Sequence, residues 1–143
     1  MSAQFATKEP QMPADAGKNL IERYLEANVA DDFEALETMR HPDWQEIWPQ
    51  SGEIVPNSAN YRAARMAQPA GAPSVVAGAS GGSGDTWWSE GVVHYGDGSR
   101  WLATTVYELR DGLVHRERVY FGPPFPAPEW RAAWVIRGEP AVS

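Results

Sequence analysis

Two carboxylates, Glu46 and Glu117, stand in runs whose alternation sets them among apolar neighbours. In Leu113–Phe121, side chains point alternately to opposite sides. Leu113, His115, Glu117, Val119 and Phe121 therefore share one face, and Val114, Arg116, Arg118 and Tyr120 the other. The apolar neighbours of Glu117 make its face the inward one. Trp44, Glu46 and Trp48 share one face of a shorter strand-like run in the same way. A carboxylate facing an aromatic interior is desolvated and available for acid–base work. Two that approach each other push their proton affinities apart, which yields an acid and a base from like residues. The structural alternatives are a Glu117 paired with a cation from a neighbouring strand and a Glu46 exposed on an edge strand. Asp43 reads as a turn residue, and Tyr24, on the apolar stripe of a helix, reads first as core. The histidines His41, His94 and His115 lack zinc-ligand spacing, so no metal site is expected.

Composition removes other chemistries. The 143 residues include no Cys, which excludes thiol nucleophiles, Cys-bound zinc, iron–sulfur clusters and disulfides. A net charge of −7 argues against a nucleic-acid partner, which requires a cationic footprint. No apolar run approaches the roughly 20 residues of a membrane span. The polar start, through Lys18, does not follow the charged-then-apolar order of a signal peptide, so a cytoplasmic protein is expected. Seven Trp, five Tyr and four Phe suit a partly hollow interior walled by rings that carry polar atoms.

The elements that must position these residues change period midway. Residues 1–17 read as a flexible arm, 18–137 as one domain and 138–143 as a tail. Leu20, Ile21, Tyr24, Leu25 and Val29 recur at helical spacing over 18–30. Asp31, with Glu34 three residues on, is placed to cap a second helix that ends at His41-Pro42. A short strand over 44–48 and a turn over 49–52 follow. A third helix, capped by Asn57 or Ser58, then carries Tyr61. Residues 74–77, 86–95, 100–110 and 113–121 are strand-like. They are separated by a Gly/Ser hairpin tip over 78–85, a turn over 96–99 and the hairpin pair Asp111-Gly112. Trp130 and Trp134 are expected to pack the tail across an open end of the sheet. Helices followed by consecutive antiparallel strands make an α+β layout.

Five segments carry a family resemblance: Ile21-Glu22-Arg23-Tyr24-Leu25, His41-Pro42-Asp43-Trp44, Trp48-Pro49-Gln50-Ser51-Gly52-Glu53, Tyr107-Glu108-Leu109-Arg110-Asp111-Gly112 and Arg118-Val119-Tyr120-Phe121-Gly122. In order and spacing they resemble the nuclear transport factor 2-like superfamily, and within it the SnoaL-like proteins, over about residues 18–135. The resemblance implies a cone-shaped, curved antiparallel sheet wrapped around the first helix, with two further short helices, a homodimer, and chemistry without metal or organic cofactor. Compared with the ketosteroid isomerases of that superfamily, Tyr24 falls where they hold an oxyanion. Trp48 falls at their general base and Thr105 at their second oxyanion acid. Compared with the epoxide hydrolases, the 86–95 strand has Glu90 but no Arg, and Val119 replaces the last-strand acid. The polyketide cyclases use one acid near the end of the last strand, where Glu117 is the nearest candidate.

Two functional readings follow. In the first, the protein is a cofactor-independent isomerase, cyclase or dehydratase acting on an apolar or polycyclic ligand. Glu117 moves the proton with Glu46 as partner, and Tyr24 donates to the oxyanion. Trp44, Trp48, Tyr61, Trp87, Trp101, Thr105, Tyr107, Val119 and Phe121 line the pocket. In the second, the same fold is a non-catalytic ligand-binding or dimerisation module, distinguished by a filled interior and a Glu117 neutralised by arginine.

Overall fold

The computed structural model describes residues 14–138. The first helix, α1 (Ala14–Val29), begins earlier than its periodicity indicated and buries Leu20, Ile21, Tyr24 and Ala27. The rest of the expected arm, residues 1–13, lies outside the described residues, as do residues 139–143 of the tail. At the end of α1 it is Asp32, not Asp31, that caps α2 (Phe33–Met39), accepting from the Ala35 N–H at 3.1 Å. Asp31 instead takes a left-handed conformation, φ 54°, that reverses the chain. Asn57 caps α3 (Ser58–Met66) by accepting from the Asn60 N–H at 2.8 Å.

The strands are β1 (Arg40–Trp48), β2 (Glu53–Val55), β3 (Ser74–Ser83), β4 (Thr86–His94), β5 (Arg100–Arg110) and β6 (Leu113–Gly122). They form one curved sheet in the order β2-β1-β6-β5-β4-β3. The fold is the expected α+β cone, with one correction to its sheet. β1 and β6 run parallel, while every other neighbouring pair is antiparallel. No hairpin joins β1 to β6, so no tight turn dictates their direction. A further correction concerns His41-Pro42, which lies inside β1 rather than closing a helix. His41 Nε2 approaches Asp111 Oδ2 at 3.3 Å.

The Gly/Ser tract is strand, not a hairpin tip. β3 continues to Ser83 with an irregularity between Ala77 and Ser80, and pairs Gly81 with Trp88 and Gly82 with Trp87. The glycines leave the room these indoles occupy. A Cβ on Gly81 would meet Trp88 Cζ2 at 2.9 Å. One on Gly82, at φ +144°, would meet the Thr86 carbonyl oxygen at 2.5 Å. Gly82→Ala is therefore expected to lower stability by about 2–4 kcal/mol in urea unfolding, combining strain with overpacking. Gly84→Ala, whose Cβ would meet nothing within 4 Å, should lose only about 1 kcal/mol for its positive φ.

The tail does not cover the sheet. Trp130 and Trp134, in a 3-10 turn over Glu129–Trp134, remain 74% and 79% exposed. Pro123, Pro124, Pro126 and Pro128 supply no N–H donors, so this stretch cannot pair along a strand edge. Among the described residues, no helix is long and apolar enough to cross a membrane.

Candidate functional site

Between α1, α3 and the concave face of the sheet lies a cavity of about 320 Å³. Leu25 and Val29 from α1, Val75 from β3, Val93 from β4, and Val119 and Phe121 from β6 give its sides apolar stretches, which Asn28, Arg65, Gln68 and Glu90 interrupt. Its floor is polar. Glu46, Ser89, Thr105, Tyr107 and Glu117 all reach the cavity and are buried.

Sheet register explains why the two glutamates meet. Glu46 stands directly opposite Glu117 in the parallel β1/β6 pair, and Tyr107 opposite Glu117 across β5/β6. Both β6 pairings are irregular near its start: β1 shifts between Arg40 and Gln45, and β5 between Glu108 and Leu109. Strict alternation therefore fails there, and Val114 and Glu117 are both buried although they stand three positions apart. The shared face that was expected to run unbroken from Leu113 through Phe121 survives only from Glu117 onward.

Glu117 is 2% exposed and Glu46 6%. Glu117 Oε1 accepts from Trp44 Nε1 at 2.9 Å and from the Tyr24 hydroxyl. Tyr24 in turn accepts from Arg40 Nε at 2.6 Å. Glu46 Oε2 accepts from Trp48 Nε1 at 2.8 Å. Burial, reinforced by the charge of Glu117, raises the Glu46 carboxyl to about 8. Burial likewise raises the Tyr61 hydroxyl to about 12 and lifts Tyr24 and Tyr107 well above the ordinary phenol value. At neutral pH the floor thus presents a protonated Glu46 beside a Glu117 whose Oε1 acts twice as an acceptor. Such a floor can accept a proton at one oxygen and donate one at another, with an apolar body held above it.

Of the residues singled out in the sequence, Glu46, Trp48, Tyr61, Thr105, Tyr107, Glu117, Val119 and Phe121 line the cavity. Four others do not. Trp44 and Tyr24 lie behind Glu117 and hold it, so the Tyr24 proton is already engaged and does not point at a ligand. Trp87 covers Gly17 and Gly82 and donates to the Gly84 carbonyl at 2.9 Å. Trp101 packs on Tyr95 and Phe121, with ring centroids 5.5 and 5.8 Å away, outside the cavity. Alternation fixes the face of a ring but not its depth, which is why these rings looked like pocket walls.

The sequence reading missed Arg40, Asn28, Arg65, Gln68 and Ser89. Ser89 Oγ lies 2.8 Å from the Tyr107 hydroxyl, and its parity with Trp87 was the available signal. Arg65 Nε donates to Asp31 Oδ1 at 2.6 Å, and Nη2 donates to the Pro73 carbonyl at 3.0 Å. These contacts hold Arg65 at the rim. Among the described residues, no group of three or more His, Asp or Glu side chains is placed to hold a metal ion.

No family model and no curated protein matches the chain. Solved structures do. An NTF2-like protein of unknown function from Burkholderia xenovorans LB400 is 31% identical, with a TM-score of 0.73. The alignment covers 86% of this chain and 95% of that one. The chain belongs to the NTF2-like family. A proposed ketosteroid isomerase from Kribbella flavida DSM 17836 shares the fold at 19% identity and a TM-score of 0.77, covering 87% of this chain and 91% of that one. So does a proposed SnoaL-like polyketide cyclase from Jannaschia sp. CCS1, at 15% identity and 0.63, covering 80% and 91%. In this NTF2-like chain Trp48 and Thr105, the two positions matched to ketosteroid isomerase carboxylates, both face the cavity as non-acids. The buried acids it does have there are the paired Glu46 and Glu117, while Glu90 lines the cavity as an exposed acid.

Proposed function

We propose that the protein is a cofactor-independent acid–base enzyme of the isomerase, cyclase or dehydratase kind, acting on a small and largely apolar substrate. The observation that carries this reading is the buried Glu46–Glu117 pair, set in the polar floor of a cavity whose walls include Leu25, Val29, Val75, Val93, Val119 and Phe121. Glu117 takes a proton from a carbon adjacent to a carbonyl or similar group, and the C–H electron pair moves into that group. Glu46 delivers its O–H proton to the oxygen where charge develops. Reversal at a second carbon, or loss of a hydroxide as water, completes an isomerisation or a dehydration, and the proton passes back between the neighbouring carboxyls. Tyr24 and Trp44 hold Glu117 in place rather than contacting the substrate. A cavity of about 320 Å³ equals the liquid volume of roughly ten waters, which suits a substrate of about ten to fifteen heavy atoms.

The test needs no natural substrate. In D2O, the protein should catalyse deuterium exchange at the carbon next to the carbonyl of 2-tetralone, followed by proton NMR. Ala103→Phe, which fills the cavity from β5, should abolish that exchange while the variant stays folded. Exchange no faster than buffer, across 2-tetralone and its hydroxylated and unsaturated analogues, would remove the enzymatic reading.

A homodimer through the outer sheet face belongs to the same proposal. Val76, Val92 and Leu102 form one row across β3, β4 and β5 on that face, and Trp88 and Tyr120 are exposed there too. Sedimentation should give twice the 15.8 kDa chain mass, and Leu102→Glu should reduce it to one chain.

A further inference from the structure

Arg40 is 5% exposed, and among the described residues no carboxylate oxygen lies within 4.0 Å of its guanidinium. It is held by rings. Cζ lies 3.7 Å from the Trp44 ring centroid and 4.5 Å from that of Tyr61. Nη1 donates to Ser58 Oγ at 3.2 Å, while Nη2 is buried without a partner. Only Nε connects the cation to an acid, through the Tyr24 hydroxyl and on to Glu117 Oε1.

A buried cation needs a compensating charge. The cluster holds one guanidinium and two carboxyls, so it is neutral only when the carboxyls share a single proton. We propose that Arg40 is the positioning residue that fixes the proton inventory of the Glu46–Glu117 pair at one, acting through the Tyr24 hydroxyl. It does not touch the cavity. It sets which protonation state the floor presents, and so keeps a base beside an acid rather than two acids. The other titratable groups facing the pair cannot supply this charge. Tyr24 from α1, Tyr61 from α3 and Tyr107 from β5 are neutral phenols raised by burial. Arg65 from α3 is engaged by Asp31, and Glu90 from β4 is an exposed acid at the rim.

The inference deepens the acid–base reading and rests on it. Its test reads proton occupancy in the resting protein, so the two can fail separately. Protein carrying 13C-labelled glutamate carboxyls is titrated by NMR as wild type, Arg40→Met, Arg40→Lys and Tyr24→Phe. In the wild type the pair holds one proton at pH 7. In Arg40→Met it should hold two, with ionisation of the more acidic carboxyl moved up by about two pH units or more. Arg40→Lys should return the count to one. Tyr24→Phe, which breaks the relay but keeps the stacked guanidinium, should move the same ionisation up by about one unit, and Arg40→Gln, a neutral planar side chain between the same rings, decides if Arg40→Met does not fold. A purely structural role would leave the titration unchanged in folded variants, and that result overturns the proposal. The expected titration in a protein that catalyses no exchange would leave Arg40's role standing and remove the enzymatic reading. An unchanged titration in an active enzyme would do the reverse.

Discussion

Glu117→Gln should slow deuterium exchange into 2-tetralone by about 10²–10⁴-fold while changing its binding by less than about threefold. The substitution keeps the shape of the floor. The amide oxygen can still accept from Trp44 Nε1 and the Tyr24 hydroxyl, as Glu117 Oε1 does now. What it removes is the only base aligned with the cavity on β6, since Val119 and Phe121 continue that face as hydrocarbon. A loss confined to turnover, with the melting temperature held, places Glu117 in the proton transfer. Full exchange in this variant would take the mechanism away. The substitution also deletes the neighbouring charge that helps keep Glu46 protonated, so Glu46 should then ionise at lower pH than in the wild type.

Glu46→Gln should gain on the wild type in stability by about 3–5 kcal/mol between pH 4 and pH 9. The folded protein holds the Glu46 proton up to about 8, whereas the unfolded chain releases it near 4.5. Between those values the unfolded state binds fewer protons than the folded state. Wild-type stability from this group is therefore full below about 4.5, falls as pH rises, and levels off above about 8. Glutamine has no proton to lose. Its oxygen can accept from Trp48 Nε1, as Glu46 Oε2 does at 2.8 Å, and its amide can donate toward Glu117 in place of the acid O–H. Urea unfolding across the pH range should show the wild-type slope disappearing in the variant. Parallel stability profiles for the two proteins would contradict a protonated Glu46. In the catalytic reading, the same variant retains the base but not the acid. Wild-type exchange should fall as pH rises through about 8, where the acid is lost.

The order of elements and the inward faces were legible in the sequence because they depend on local periodicity. Leu20, Ile21 and Tyr24 mark one helix face, and Trp44, Glu46 and Trp48 mark one strand face without reference to anything distant. Turn chemistry at Asp111-Gly112 and the cap at Asn57 are equally local. What was not legible depends on register. The parallel match of Glu46 with Glu117 joins positions far apart in the chain, and the irregularities near the start of β6, which put Val114 and Glu117 both inside, leave no mark in the local alternation. Arg40 looked like the last residue of a helix before His-Pro. It is instead the first residue of β1, where rings on β1 and α3 can enclose it. The Gly/Ser tract looked like a loop because glycine disfavours strands, and the rings that compensate, Trp87 and Trp88, sit across the hairpin. The depth of Trp44, Trp87 and Trp101 is a property of packing, which alternation does not encode.

Infrared spectroscopy of the resting protein tests the central claim most directly. At pH 7 a buried, protonated carboxyl C=O band should be present. It should vanish with a midpoint near pH 8 and be missing from Glu46→Gln. A wild-type spectrum in which every carboxyl is already ionised at pH 7 would contradict the account.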